Sequence, residues 1–228
     1  MKKILITRKL IKSSEEYAAS IFDVKLNKED RVLTKDDVIS QSNDCDGILT
    51  SLTEKLDADT ISKLSGKIKI ISNFAVGVGN IDLDAAKKRN IVVTNTPDVL
   101  TDATAEIAML VLLGAARRAK EGMEWVNKKN WKWSADFLMG KQLTGSRLGI
   151  LGMGRIGRAV ADRARSFGMK IHYYNRSRLD KNLEKDAIYH KSLESLLSVS
   201  DFFSINCPAT KETKHIINSK TIKHFPDG

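Results

Sequence analysis

Only two cysteines and three prolines occur in 228 residues, so neither a disulfide framework nor a proline-rich linker organises the chain. Cys45 and Cys207 lie far apart, with no CxxC pair and no clustered histidine beside them. That spacing excludes an ordinary structural zinc site and predicts two reduced thiols, with no metal. Aromatic residues make up 6% of the chain, and the longest apolar run, residues 107–116, covers ten positions. A membrane-spanning helix needs roughly 20. At the N-terminus Lys2 and Lys3 precede only Ile4, Leu5 and Ile6 before Thr7 restores polarity, too short a stretch for the apolar region of a signal peptide. No membrane partner is expected, and the cytoplasm is the expected compartment.

What is present is the composition of a folded globule, with 42% hydrophobic and 29% charged residues, enough to bury a sizeable core. The length favours two modest domains or one large α/β unit. The net charge of +10 invites anionic partners: nucleic acid, acidic lipid or a phosphorylated cofactor. The basic residues are dispersed, and aromatic residues are interleaved with them only around Trp125, Trp131 and Trp133. A nucleic-acid partner is therefore not expected.

Periodicity predicts strands alternating with short helices. Residues 3–7 form a β-like run, and Ser13 and Glu16 have capping-box spacing at the head of the first helix. Thr34 with Asp37 opens a second helix, residues 47–50 are an apolar strand, and 57–64 are helical. Residues 67–72 alternate as a strand, 84–90 form a helix and 91–94 a strand. This pattern implies a mostly parallel sheet covered on both faces. Residues 1–100 are expected to form one domain and 101–228 the next. Over residues 101–128 Ile107, Leu110, Val111 and Ala115 fall at helical spacing, which predicts one long connecting helix. The three tryptophans that follow read as an irregular arm, serving either as rim packing or as an oligomer contact.

The motif that carries chemistry follows an apolar strand at residues 148–151. It reads Gly152-Met-Gly154-Arg-Ile-Gly157 and runs into a helical pattern through Ala159, Val160, Ala164 and Phe167. Gly152 allows the tight turn, Gly154 lets backbone approach a pyrophosphate, and Gly157 lets helix and strand pack closely. The pyrophosphate is then expected on the helical N–H groups. A second strand spans residues 170–174. Where such folds place a ribose-binding carboxylate, the chain has Asn175-Arg176-Ser177-Arg178, two guanidiniums and a hydroxyl suited to a 2′-phosphate. NADP is the preferred cofactor on this reading, with NAD second; the bland alternative is a solvated basic loop. Residues 192–198 read as a short helix and 201–206 as a buried fourth strand. The loop after it, at Cys207 and Pro208, is expected to face the cofactor, with Cys207 lining the site and not acting as a nucleophile.

Five ordered stretches, taken together over the whole chain, resemble the D-isomer-specific 2-hydroxyacid dehydrogenases, and within them the glyoxylate and hydroxypyruvate reductase group. They are Asn73-Phe-Ala-Val76-Gly77-Val-Gly79-Asn-Ile-Asp82, Val93-Thr-Asn-Thr-Pro97, Thr101-Asp-Ala-Thr104-Ala-Glu106, the Gly152 turn, and Cys207-Pro-Ala-Thr210 with Thr213. The resemblance implies an α/β protein with a flavodoxin-like N-terminal substrate domain and an incomplete Rossmann doubly wound sheet. By position it implies that Val76 and Gly77 hold the substrate carboxylate. Thr104, Arg155, Ile156, Arg176, Ser177, Cys207, Pro208 and Thr213 would line the cofactor. Trp133 would enter a partner subunit's active site, which makes the protein a homodimer when intact.

The implied reaction moves hydride from NADPH or NADH to a small 2-oxoacid such as glyoxylate or hydroxypyruvate. The family's catalytic Arg, Glu and His fall on segments after the position of Gly228, so no catalytic residue is expected within these 228. The four histidines, at 172, 190, 215 and 224, read as structural or exposed. The chain is expected to be a truncated, inactive copy whose fourth strand is an aggregation-prone edge. A non-catalytic dinucleotide-sensing, corepressor-like binding protein is the alternative from another class.

Overall fold

Strand and helix alternate from the first residues. The computed structural model, which describes residues 1–129 and 133–227, gathers them into two units, Met1–Val99 and Leu100–Gly228. In the first unit the order is β1 (Lys3–Ile6), α1 (Lys12–Ile21), β2 (Asp23–Leu26), α2 (Lys35–Gln41), β3 (Gly47–Thr50), α3 (Ala58–Lys63), β4 (Ile70–Asn73), α4 (Leu83–Lys88) and β5 (Val92–Thr94). All pairings are parallel, in the order β2-β1-β3-β4-β5, the flavodoxin-like arrangement. Leu5, Ile48 and Ile71 point from one face of the sheet into a core with Val38, Ile61 and Ala86 of the covering helices. Each such aliphatic side chain contributes about 1.5–3 kcal/mol of burial free energy.

Helix starts follow local chemistry in this unit. Thr34 and Asp37 form the expected reciprocal capping box, and Asp57 and Asp82 accept hydrogen bonds from the Thr60 and Ala85 N–H groups. The first helix departs from expectation. It begins at Lys12 with Ile11 as N-cap and no side-chain cap, and Glu15, not Glu16, reaches back, accepting from the Leu10 N–H. The strand expected over 67–72 starts at Ile70, because the Ile68 N–H closes a turn onto the Ser65 carbonyl and Ile68 is buried there. β2, with four residues alternating too briefly to signal a strand, appears as an edge paired to β1.

The second unit contains α5 (Thr101–Ala116), α6 (Ala119–Asn127), β6 (Arg147–Leu151), α7 (Arg155–Ser166), β7 (Lys170–Tyr174), α8 (Lys181–Glu184), β8 (Ile188–Tyr189), α9 (Leu193–Leu197), β9 (Phe202–Ile205) and a 3-10 turn at Thr221–His224. Its sheet is parallel in the order β8-β7-β6-β9, one half of a doubly wound Rossmann sheet plus the strand across the switch point. Leu148, Ile150, Ile171 and Tyr173 pack against Val160, Ala161 and Ala164 of α7 and Ala105, Met109 and Ala116 of α5.

The single long helix expected over 101–128 is broken. Arg118 takes a left-handed φ of 52°, and the Ala116 carbonyl accepts the Lys141 N–H at 2.9 Å. The returning chain is pressed so close that a Cβ on Gly140 would lie 2.2 Å from that carbonyl oxygen. The expected irregular tryptophan arm is also corrected in part: Trp125 lies within α6, edge-on to Phe137 at 5.3 Å. Trp131 lies outside the described residues. The strand expected to be buried over 201–206 is β9, half-buried along most of its length with Ile205 53% exposed. It is an edge strand, paired only with β6 among the described strands.

On the α9 side of this sheet, His172 Nδ1 and His190 Nε2 share a hydrogen bond at 2.9 Å, and His190 Nδ1 meets Ser195 Oγ at 2.8 Å. Burial pushes both imidazoles below their ordinary range, and for His172 the neighbouring His190 and Arg147 add to it. The folded state thus takes up protons less readily than the unfolded chain. Stability is full above the free imidazole value of about 6.5 and falls as the pH drops below it. Asp30 and Asp201, held at about 2 chiefly by hydrogen bonds from Arg8 and Arg147, act only at much lower pH. Urea midpoints are expected to fall between neutral pH and mild acid, and His172→Gln should flatten that dependence. A midpoint that does not change with pH in this window would count against the pair.

Candidate functional site

The carboxyl end of β6 feeds directly into the glycine turn. Gly152 has φ +94°, and a Cβ there would stand 2.5 Å from the Cys207 nitrogen. The first glycine therefore turns the chain and lets the β9 loop close onto it. Gly157 lies on the first turn of α7, where a Cβ would meet the Gly152 carbonyl oxygen at 2.3 Å, so helix and strand can approach only without a side chain. Gly154, the N-cap of α7, differs: a Cβ there would find nothing within 4 Å. The middle glycine faces open space at the positive end of a helix dipole, and α7 has no acidic residue in its first turn. Backbone donors, positive potential and room for an anion coincide there.

Around that turn the structure brings together most of the residues singled out from the sequence. Asn175 directly follows β7, and its side-chain oxygen accepts the Met153 N–H at 2.7 Å, bracing the turn from the end of the neighbouring strand. Arg155 opens α7 at the surface, and Ile156 packs partly into the core behind it. Cys207 and Pro208 follow β9, Cys207 half-buried and Pro208 exposed; burial pushes the Cys207 thiol up, which disfavours the thiolate a nucleophile needs. Thr213 uses its hydroxyl to fold its own loop, donating to the Pro208 carbonyl at 2.6 Å and accepting the Thr210 N–H at 2.8 Å. Thr104 is half-buried on α5, the helix that packs along α7. Trp133 is 77% exposed.

The pair of guanidiniums expected beyond β7 is not a pair. Arg178 makes a two-pronged contact with Glu184, Nε and Nη2 reaching its carboxylate at 2.8–3.1 Å, and lies over the Tyr189 ring. Glu184 is only 4% exposed and also accepts the Tyr173 hydroxyl at 2.8 Å. Hydrogen bonds from Arg178 first, then Tyr173, hold its carboxyl below the usual range. A buried carboxylate demands such partners, so Arg178 is committed to the fold. Arg176 and Ser177 remain exposed. Glu212, held low first by its hydrogen bond with Thr210, also senses the Arg176 charge.

In the first unit Val76 and Gly77 lie in the loop after β4, at the carboxyl end of the sheet. The Ala75 carbonyl accepts the Thr96 N–H at 2.9 Å, the Val76 carbonyl accepts Asn95 Nδ2 at 2.8 Å, and the Gly77 carbonyl accepts Asn73 Nδ2 at 2.7 Å. The peptides are trans, so each N–H points opposite the carbonyl before it. The Val76 and Gly77 N–H groups therefore turn away from residues 95–96 and have no acceptor among the described residues. Two adjacent outward donors suit a carboxylate.

Comparison with known proteins decides the family. Residues 109–228 match the profile described as D-isomer specific 2-hydroxyacid dehydrogenase, NAD binding domain. Glycerate dehydrogenase of Hyphomicrobium methylovorum is 44% identical, with the match covering 100% of this chain and 71% of that protein. The chain belongs to the D-isomer specific 2-hydroxyacid dehydrogenase family. Two solved structures agree in fold. A glyoxylate reductase from Paecilomyes thermophila has a TM-score of 0.88 at 33% identity, covering 100% of this chain and 71% of that one. A D-lactate dehydrogenase from Aquifex aeolicus, complexed with NAD and lactic acid, has 0.87 at 28% identity, covering 100% and 67%. As a member of this family the protein is a 2-hydroxyacid oxidoreductase with a nicotinamide dinucleotide as cofactor. The Gly152 turn fits that group, because the space beside Gly154 is open while Gly152 and Gly157 are closed. Among the described residues no group of acidic, histidine and cysteine side chains could hold a metal, and no helix is long and apolar enough to cross a membrane.

Sequence reasoning missed the amides that hold these loops. Asn73 and Asn80 flank the Val76-Gly77 stretch inside one motif, a signal that was visible. Glu184 gave none, since its partnership with Arg178 depends on how α8 folds back over β7.

Proposed function

We propose that the protein is a reductase of small 2-oxoacids such as glyoxylate or hydroxypyruvate that prefers NADPH to NADH. The observation that carries the cofactor preference is the end of β7, where Arg176 and Ser177 are exposed and Asn175 stands in place of a carboxylate. An acidic side chain there would accept a ribose hydroxyl and repel a 2′-phosphate; a guanidinium attracts it. In this reading Leu100–Gly228 is the cofactor domain, with the pyrophosphate on the first turn of α7, while Met1–Val99 is the substrate domain. The bound nicotinamide supplies the hydride that reduces the carbonyl carbon of the 2-oxoacid. Val76 and Gly77 N–H groups hold the substrate carboxylate, and Asn175 keeps the glycine turn in register with β7.

Proton donation and polarisation of the carbonyl need groups that none of the described site residues supplies, so a polypeptide of these 228 residues is expected to bind without turning over. Calorimetric titration should give a lower Kd for NADPH than for NADH, and Arg176→Ala should weaken NADPH by about 10- to 100-fold, the size of one charge-assisted phosphate contact, with little change for NADH. Equal affinities would overturn the cofactor preference, and rapid NADPH oxidation with glyoxylate by this polypeptide would overturn the expected lack of turnover.

The same reading makes the protein a homodimer. Ile107, Leu110 and Val111 lie exposed along α5, opposite the stripe of Ala105, Met109 and Ala116 that packs against the second sheet's core. Such an apolar stripe suits the centre of an interface, and exposed Trp133 is then placed to enter the partner's site.

A further inference from the structure

The substrate loop is held by more contacts than a surface loop requires. Asn73, 2% exposed at the end of β4, donates both to the Gly77 carbonyl at 2.7 Å and to Asn80 Oδ1 at 3.1 Å. Asn80 in turn donates to the Ser51 and Glu54 carbonyls at 2.8 and 3.1 Å. Its own carbonyl accepts the Leu56 N–H at 2.8 Å, and the Asp82 N–H returns to the Leu56 carbonyl at 2.9 Å. The loop after β4 is thus bolted along its length to the loop after β3.

That second loop is itself anchored from within. Glu54, buried at 1% exposure, accepts the Thr7 and Thr50 hydroxyls at 2.9 and 3.2 Å on one carboxylate oxygen and the Thr53 hydroxyl at 2.9 Å on the other. Its carboxylate sits at the carboxyl ends of β1 and β3, where the strand order reverses. On the far side Asn95 and Thr96 hold the Val76 and Ala75 carbonyls. Three successive carbonyls, at 75, 76 and 77, are each engaged by a donor.

We propose that Asn73, Asn80 and Asn95 are positioning residues that aim the Val76 and Gly77 N–H groups at the substrate carboxylate. The inference rests on the reading that these two N–H groups receive that carboxylate. With every carbonyl already satisfied on the opposite side, the two donors are set before the anion arrives, and binding costs little further ordering of the loop. Releasing the Val76 carbonyl from Asn95 frees the peptide plane that carries the Gly77 N–H, and releasing the Gly77 carbonyl from Asn73 frees the adjoining plane and with it the backbone angles of Gly77 that aim the same N–H.

The test is a titration of the 15N-labelled 228-residue chain with glyoxylate, following the Val76 and Gly77 amide resonances. Both are expected to move saturably in the unsubstituted chain. Asn95→Ala, at an exposed position, and Asn73→Asp, which keeps the volume but removes the donor, should each raise the glyoxylate Kd about fivefold, the worth of one hydrogen bond. Their Val76 and Gly77 amides should also show larger fast-timescale amplitudes, read as lower 15N order parameters. Because Kd is read on folded molecules, a loss of stability alone does not move it. If Asn73→Asp fails to fold, Asn95→Ala decides alone. Movement of both amides in the unsubstituted chain together with an unaltered Kd in Asn95→Ala overturns the positioning role and leaves the carboxylate reading standing. Failure of both amides to move in the unsubstituted chain overturns both.

Discussion

Gly152→Ala is expected to destabilise the second unit by about 3 kcal/mol or more, since a left-handed backbone and an overpacked contact each cost about 1–3 kcal/mol. The new methyl would lie 2.5 Å from the Cys207 nitrogen and 2.7 Å from its Cα, both backbone atoms that cannot step aside as a flexible side chain could. To relieve the clash, the loop after β9 must leave the turn, taking with it the apolar layer in which Cys207 joins Leu151, Leu193 and Leu197. Gly154→Ala separates stability from binding. Its φ is an ordinary −73° and its Cβ meets nothing within 4 Å, so the urea midpoint should shift by no more than about 0.5 kcal/mol in equivalent stability. The methyl nevertheless occupies the space assigned to the pyrophosphate, and NADPH affinity should fall about tenfold or more as a charge-assisted contact is lost. Urea unfolding read against calorimetric NADPH titration checks both. A Gly154→Ala chain that binds NADPH as the unsubstituted chain does would move the cofactor away from this turn.

Leu110→Asp is expected to leave the fold intact and dissociate the proposed homodimer. Leu110 is 63% exposed, so its replacement removes little from the core, and α5 keeps its packing through Ala105, Met109 and Ala116. At the centre of an interface the same position would meet its counterpart or a neighbour in an apolar, desolvated setting, where an unpaired carboxylate is heavily penalised. Central anchors of this kind carry about 2–4 kcal/mol, so the dimer constant should weaken about 30- to 1,000-fold. Sedimentation equilibrium over a range of concentrations measures it directly. A chain that is already monomeric without the substitution, at the highest concentrations reached, removes the interface from α5.

The outcomes of sequence reading divide along physical lines. The turn at 152–157 was legible because its requirements lie within six residues: a left-handed backbone at the first glycine, open space at the second, and contact with the preceding carbonyl at the third. The capping box of Thr34 and Asp37 was legible for the same reason, closing on an N–H three residues on. Ser13 was misleading because a capping pattern is satisfied only when the chain enters the helix from the right direction, and here the entry is set by Ile11 and Glu15.

Taken by itself, the amino-acid sequence determined the alternation of strand and helix, the parallel character of both sheets, the dinucleotide turn and the family, all carried by periodicity and by short motifs whose physics is local. Tertiary structure alone decided which guanidinium remains available, because Glu184 folds back to claim Arg178, and where the long helix ends, because Gly140 and Lys141 return to take the Ala116 carbonyl. It also decided how Val76 and Gly77 present their N–H groups, since Asn95 and Thr96, from the segment after β5, take the Val76 and Ala75 carbonyls. Contacts between distant segments leave no spacing in the chain from which they can be read.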